Sequence, residues 1–235
     1  MIFAFTLGMT ARAFGLFGFG IHAGKDLFTV DSLADTFSLD YTLGTSTNKA
    51  QAAIERSAIE KPLMLGGQIY VDALPVIDIE VGFDIAAAVY NVFAWRQITV
   101  NNATQTDTLY NEKLPFARVG IYPTIKINLI KLPPIIHVVR VYAGAGLSFH
   151  LVTPVASPNL ILDNFTTDQP KTLTVEEIVK KNTKTGGHLL AGVKIKPPLV
   201  PIALNVEAKF SIIPEGTYDE PSKFLSLGGG LSLNF

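Results

Sequence analysis

The chain contains no cysteine. Disulfide frameworks and thiolate metal sites are therefore excluded, and with them the small stapled secreted folds. Charge is scarce as well: Asp, Glu, Lys and Arg make up 17% of the residues, where about 25% is usual. The two signs almost cancel, 19 Lys and Arg against 20 Asp and Glu, so no basic excess offers itself to nucleic acid. Long apolar runs are missing too. A membrane-spanning helix needs about 20 mostly apolar residues. The longest stretch free of Asp, Glu, Lys and Arg runs over 141–162, and Ser148, His150, Pro154, Pro158 and Asn159 make it a poor helix.

What remains is greasy all the same. The chain is 48% hydrophobic, with a mean hydropathy of +0.33. Its 235 residues and 25.4 kDa suit one domain of the barrel kind. Such a composition either buries an unusually large core or faces lipid. The period of the pattern separates these cases.

Over 77–90, Ile77, Ile79, Val81, Phe83, Ile85, Ala87 and Val89 alternate with Asp78, Glu80, Gly82, Asp84, Ala86, Ala88 and Tyr90. The same period of two, the period of a strand, recurs over 117–129, 139–151, 189–195, 202–212 and 225–235. Shorter copies occupy 17–23 and 68–73. Eight segments result. Several run longer than an ordinary strand, and about 9–11 residues cross a bilayer at a tilt. The apolar phase carries no charge, whereas the other phase is built from Gly, Ser, Tyr and charges of both signs. Strands facing lipid must close on themselves, because an open edge would leave backbone groups unpaired. The pattern therefore predicts an all-β fold, a closed eight-stranded antiparallel up-and-down transmembrane β-barrel.

The connections alternate in kind. Leu74–Val76, Lys131–Pro134 and Pro197–Pro201 are short and contain Pro, which removes a ladder donor. Long links follow Lys25, run from Asn91 to Pro115, and run from Thr153 to Gly187. Short helices are expected in two of them, over Asn48–Glu60 and Thr174–Lys181, the latter with a capping box of Thr174 and Glu177. Phe37, Leu39, Tyr41 and Leu43 also alternate, and extend a hairpin beyond the membrane or add a pair of strands. Residues 1–13 end in Ala11-Arg12-Ala13, a small-x-small pattern. They read as the tail of a truncated signal peptide before a single domain over 14–235, or as a prolongation of the first strand.

The segment Leu225–Phe235, with a terminal aromatic and apolar residues at every second position, resembles the last strand of bacterial outer-membrane proteins. The whole plan is similar to the small eight-stranded barrels, such as the OmpA transmembrane domain, OmpX and OmpW. The resemblance implies the bacterial outer membrane, with lipid and lipopolysaccharide around a monomer. It further implies recognition of Phe235, Leu233 and Leu231 by the barrel-assembly machinery. It also frames three functions: a structural, adhesive or surface-binding barrel; an OmpW-like channel for small hydrophobic molecules; and a lipid A-modifying enzyme. For the channel, Phe14, Leu16, Phe116 and Leu190 are the candidate lining.

Little else in the chain carries chemistry. No cofactor and no metal is expected, since His22, His137, His150 and His188 show no ligand spacing. Ser148 and His150, on the inward face of one strand, are the weak candidates for acyl transfer. The informative set is charged. Asp72, Asp78, Glu80, Asp84, Arg118, Lys126, Arg140, Lys194, Glu207 and Lys209 share the inward phase, and unpaired charges there would be costly, so ion pairs across a side-chain-filled lumen are expected.

Overall fold

Alternating apolar and polar residues form strands here, and the pairings of those strands close into a ring. The computed structural model describes residues 17–43, 46–71, 76–100, 103–132, 138–158, 183–197, 200–215 and 220–234. Twelve strands are found among them: β1 Phe17–Leu27, β2 Thr29–Val30, β3 Leu33–Leu43, β4 Ser46–Arg56, β5 Ile59–Glu60, β6 Leu63–Val71, β7 Ile77–Val100, β8 Ala103–Leu132, β9 Val139–Val152, β10 Thr183–Ile195, β11 Ile202–Ile212 and β12 Lys223–Asn234. All pairings are antiparallel. β1 pairs with β6 on one side and β12 on the other, and the chain of neighbours runs β6, β7, β8, β9, β10, β11 and back to β12.

The polarity of the ring is the reverse of a water-soluble sheet. Ile79, Val81, Phe83 and Ile85 are 42–54% exposed, while Glu80 and Asp84 between them are 5% and 0% exposed. The same holds on β8, where Ile125 is 58% exposed beside Lys126 at 5%. The described part of each alternating segment read from the sequence lies within one of the ring strands, and there the apolar phase faces outward. The three Pro-containing links join the ring strands at one end. Among the described residues no helix is long and apolar enough to cross a membrane.

Above the ring, two links are more ordered than the sequence pattern indicates. β7 and β8 continue as one hairpin through 91–115, read above as a loop, to the pair Val100 and Ala103. Their side chains there are Thr- and Gln-rich, and Thr99, Thr104, Gln105, Thr106 and Thr108 are exposed. With both faces wet, the apolar alternation is silent, although Thr favours extended backbone. The expected helix over Asn48–Glu60 is not formed. β4 and β5 occupy that stretch, because the upper edge of β7 offers β4 a ladder from Ala50–Ile98 to Arg56–Val92. A helix of this length gains little by itself, and tertiary pairing overrides its pattern. β3 and β4 are a hairpin outside the ring, so Phe37 and its alternating neighbours extend the sheet upward. The expected helix over Thr174–Lys181, the segment 1–13, Phe14, Leu16, Asp72, His137 and Phe235 lie outside the described residues.

Candidate functional site

Among the described residues, the interior of the ring gathers a dense set of buried charges. It is arranged in layers along the axis. Nearest the long loops lies an apolar plug of Phe28, Ile54, Tyr90, Phe116, Val152, Val155, Ile213 and Phe224, joined by others. The ring of Phe28 meets those of Phe116 and Phe224 edge-on, with centroids 5.6 and 6.0 Å apart.

Beneath the plug, Arg118 is fully buried and donates from Nε to Asp26 Oδ2 at 2.8 Å, with its second terminal nitrogen 2.7 Å from the same oxygen. Ser226 donates to the other oxygen of Asp26 at 2.6 Å. The guanidinium also donates to the Tyr122 hydroxyl and lies 4.6 Å from the centre of the Phe224 ring. The next layer centres on Asp84, which accepts from Lys209 and lies 2.6 Å from His22 Nε2. Lys209 Nζ also caps the face of Tyr122, 3.4 Å from its centroid.

In the third layer Lys126 bridges two carboxylates. Its Nζ donates to Glu80 at 2.6 Å and to Glu207 at 2.9 Å, while Tyr142 donates to the same Glu207 oxygen at 3.0 Å. Nearer the short turns, Lys194 donates to the Tyr70 hydroxyl at 2.9 Å, and Asn128 donates to Asp78 at 3.1 Å. Arg140 stands on β9 opposite Lys194, half-buried. Among the described residues of these layers, the anions Asp26, Asp78, Glu80, Asp84 and Glu207 stand beside the cations Arg118, Lys126, Arg140, Lys194 and Lys209. Pairing matters, because a lone charge in such an interior costs several kcal/mol.

Register places these partners. Glu80, Lys126 and Glu207 belong to β7, β8 and β11, which are distant in sequence and, for β11, not adjacent in the ring. Sequence phase put each charge inside but could not say which would meet. It also stopped β1 at Ala23 and so missed Asp26, although Gly18, Gly20, His22, Gly24 and Asp26 keep one phase. Lys184 and Glu220, paired at 3.2 Å, were missed as well, since Glu220 stands in a connection without periodicity.

Small residues make room for the rings. A Cβ on Gly192 would fall 2.5 Å from the Tyr142 hydroxyl, and one on Gly120 would fall 2.5 Å from that of Tyr122. The tyrosines therefore lie across the glycines and fill the lumen. Two voids among these side chains measure about 20 Å³ each, room for about one water molecule.

Ser148 and His150 are buried on β9, and no hydrogen bond joins them. Ser148 Oγ and His150 Nε2 have no hydrogen-bond partner, and the imidazole is wedged edge-on between Tyr122 and Phe224. Phe116 belongs to the plug, whereas Leu190 lies lower, beside Gly144, so these two lining candidates are not brought together. Among the described residues no three His, Asp or Glu side chains are placed to hold a metal ion. Leu231 is exposed on the outer face of β12, with Leu233 half-exposed beyond it.

No protein-family model and no curated protein matches the chain. Among solved structures it is similar to the outer membrane protein OprG from Pseudomonas aeruginosa, at 12% identity, covering 94% of this chain and 97% of that one, with a TM-score of 0.43. It is also similar to Ail, the attachment invasion locus protein of Yersinia pestis, at 12% identity over 94% of this chain and 99% of that one, with a TM-score of 0.23. The functional reading therefore rests on the chain's own geometry.

Proposed function

We propose that the chain is an integral outer-membrane barrel of eight transmembrane strands, sealed along its axis, whose task is to hold a projecting sheet and loops at the cell surface for binding, adhesion or envelope integrity. One observation carries this reading: the outward side of the ring is a broad apolar belt, interrupted by Lys25 on β1, while the inward side holds buried ion pairs such as Arg118–Asp26, Lys126–Glu80 and Lys209–Asp84. β1, β6 and β9 to β12 are 9–14 residues long, as a tilted bilayer crossing needs. Closure satisfies every internal ladder, which lipid demands. The aromatics Phe17 and Phe19 at one border and Phe93 and Trp95 near the other fit the two interfaces.

The plug and the stacked ion pairs support a sealed barrel over a conduit for small hydrophobic molecules. An apolar solute entering from the loop side would have to displace Phe28, Phe116 and Phe224, then pass the buried charges of Arg118 and Asp84. Voids of about 20 Å³ favour ordered water, not a solute path. Burial of Ser148 and His150 inside the ring, away from the lipid that an acyl chain occupies, supports a role without lipid A chemistry.

The test is to refold the protein into planar bilayers and into vesicles. The reading expects insertion, shown by a protease-resistant, heat-modifiable band, together with no measurable single-channel conductance and no uptake of an apolar solute. Steady conductance or solute flux would overturn the sealed barrel. A changed lipid A mass spectrum on expression would overturn the non-enzymatic role.

A further inference from the structure

The outward face of β7 and β8 changes character abruptly at one height. Val89 is 66% exposed and pairs with Pro115, which is also exposed. The next outward pair is Asn91 and Lys113, and the one after it is Phe93 and Asn111. β4 continues this second row, since Glu55 pairs with Phe93. The edge of β7 carries no strand partner just here, and Ser57 alone bonds both backbone groups of Asn91. β6 covers it up to Ala87 and β4 resumes at Val92, while the chain between them detours through β5. A cleft of about 510 Å³ opens at this gap.

Its volume lies within the range of small-molecule sites, about 300–1,000 Å³. Its chemistry is mixed. Asn91 and Asn111 offer amides, Glu55 a carboxylate, Lys113 an ammonium and Ser57 a hydroxyl, beside the half-buried ring of Phe93. The Ser57 oxygen accepts from the Asn91 backbone at 2.9 Å, which fixes it at the cleft and leaves its own proton to donate. Donors and acceptors side by side suit the vicinal hydroxyls of a sugar, and a phenyl ring suits its apolar C–H face. The near balance of charge disfavours a bare phosphate or a simple cation. Height completes the argument, because Asn91 stands about 5–7 Å of chain beyond Val89, where a lipid headgroup begins.

We infer that this cleft binds the saccharide headgroup of a membrane glycolipid, whose acyl chains lie along Ala87, Val89 and Pro115. The inference rests on the membrane reading above and names a ligand for its outer face.

Trp95, the single tryptophan, stands two residues beyond Phe93 on β7 and reports on the cleft. The protein is refolded into phosphatidylcholine vesicles, and insertion is scored first by the heat-modifiable band. Trp95 fluorescence is then followed as lipopolysaccharide bearing a short core saccharide replaces phosphatidylcholine. A saturable change is expected, absent with phosphatidylglycerol, and weaker with free core oligosaccharide. The double variant Asn91→Ala, Asn111→Ala removes two hydrogen-bonding groups and should raise half-saturation about tenfold. Phe93→Leu, which keeps the apolar volume, should also weaken binding while insertion stays intact. Equal half-saturation in parent and both variants overturns the site. An equal response to phosphatidylglycerol overturns saccharide recognition, and equal affinity for the free oligosaccharide overturns the glycolipid. Failure to insert overturns the membrane reading and this inference together, whereas insertion without a lipopolysaccharide response overturns the inference alone.

Discussion

Lys126 shows what single residues do in this molecule. Its ammonium is shared by Glu80 and Glu207, so removing it leaves two carboxylates facing each other in a space with almost no water. Lys126→Ala should destabilise the protein by about 3–5 kcal/mol, the usual cost of breaking a buried pair. Adding Glu80→Gln and Glu207→Gln should restore much of that loss, because the desolvated charges then disappear. Urea unfolding of the vesicle-inserted protein measures both, and a triple variant no better than Lys126→Ala would contradict the ion-pair account. Gly192 is the complementary case. A methyl there meets the Tyr142 hydroxyl, so Gly192→Ala should cost about 1–3 kcal/mol by overpacking and loosen the Tyr142–Glu207 bond. The sequence showed that these residues face inward, because parity along a strand is rigid. It did not show which of them touch, because contact across the lumen depends on the stagger of strands far apart in the chain.

At the scale of elements, the strands of the ring were legible wherever an apolar outward phase alternates with a polar inward one. Legibility ended at the height where that contrast ends. Near the tip of the β7–β8 hairpin, around Thr99, Thr104 and Gln105, both faces are wet and this Thr-rich part reads as a loop, although Val92 and Ala94 below it are buried. β3 was legible in the alternation of Phe37, Leu39, Tyr41 and Leu43, but β4 was hidden for a different reason: Ala50, Ala53, Ile54 and Ala58 also suit a helix, and only the edge of β7 decides for a strand. This boundary makes a mutational prediction. Val81→Arg, in the belt, should cost about 2–4 kcal/mol in the membrane-inserted protein. Thr104→Arg, in the projecting hairpin, should stay within about 0.5 kcal/mol. Equal costs at the two positions, measured by the same urea titration, would show that the belt does not face lipid.

As a whole, the molecule places its hydrophobic surface where a soluble protein places its charge. The apolar plug near the long loops and the layered ion pairs beneath it are the contents of a closed tube, and the projecting sheet stands on its rim. Absence of native cysteine permits a direct test of this polarity, since every introduced thiol is unique. Nitroxide labels on Val81→Cys, Ile125→Cys, Val206→Cys and Thr104→Cys, in the vesicle-inserted protein, report collisions with dissolved oxygen and with a polar metal chelate. Oxygen should dominate at the first three positions and the chelate at Thr104→Cys. Chelate-dominated relaxation at positions 81, 125 and 206 would contradict the account, leaving a β-sheet protein with its greasy face turned to water.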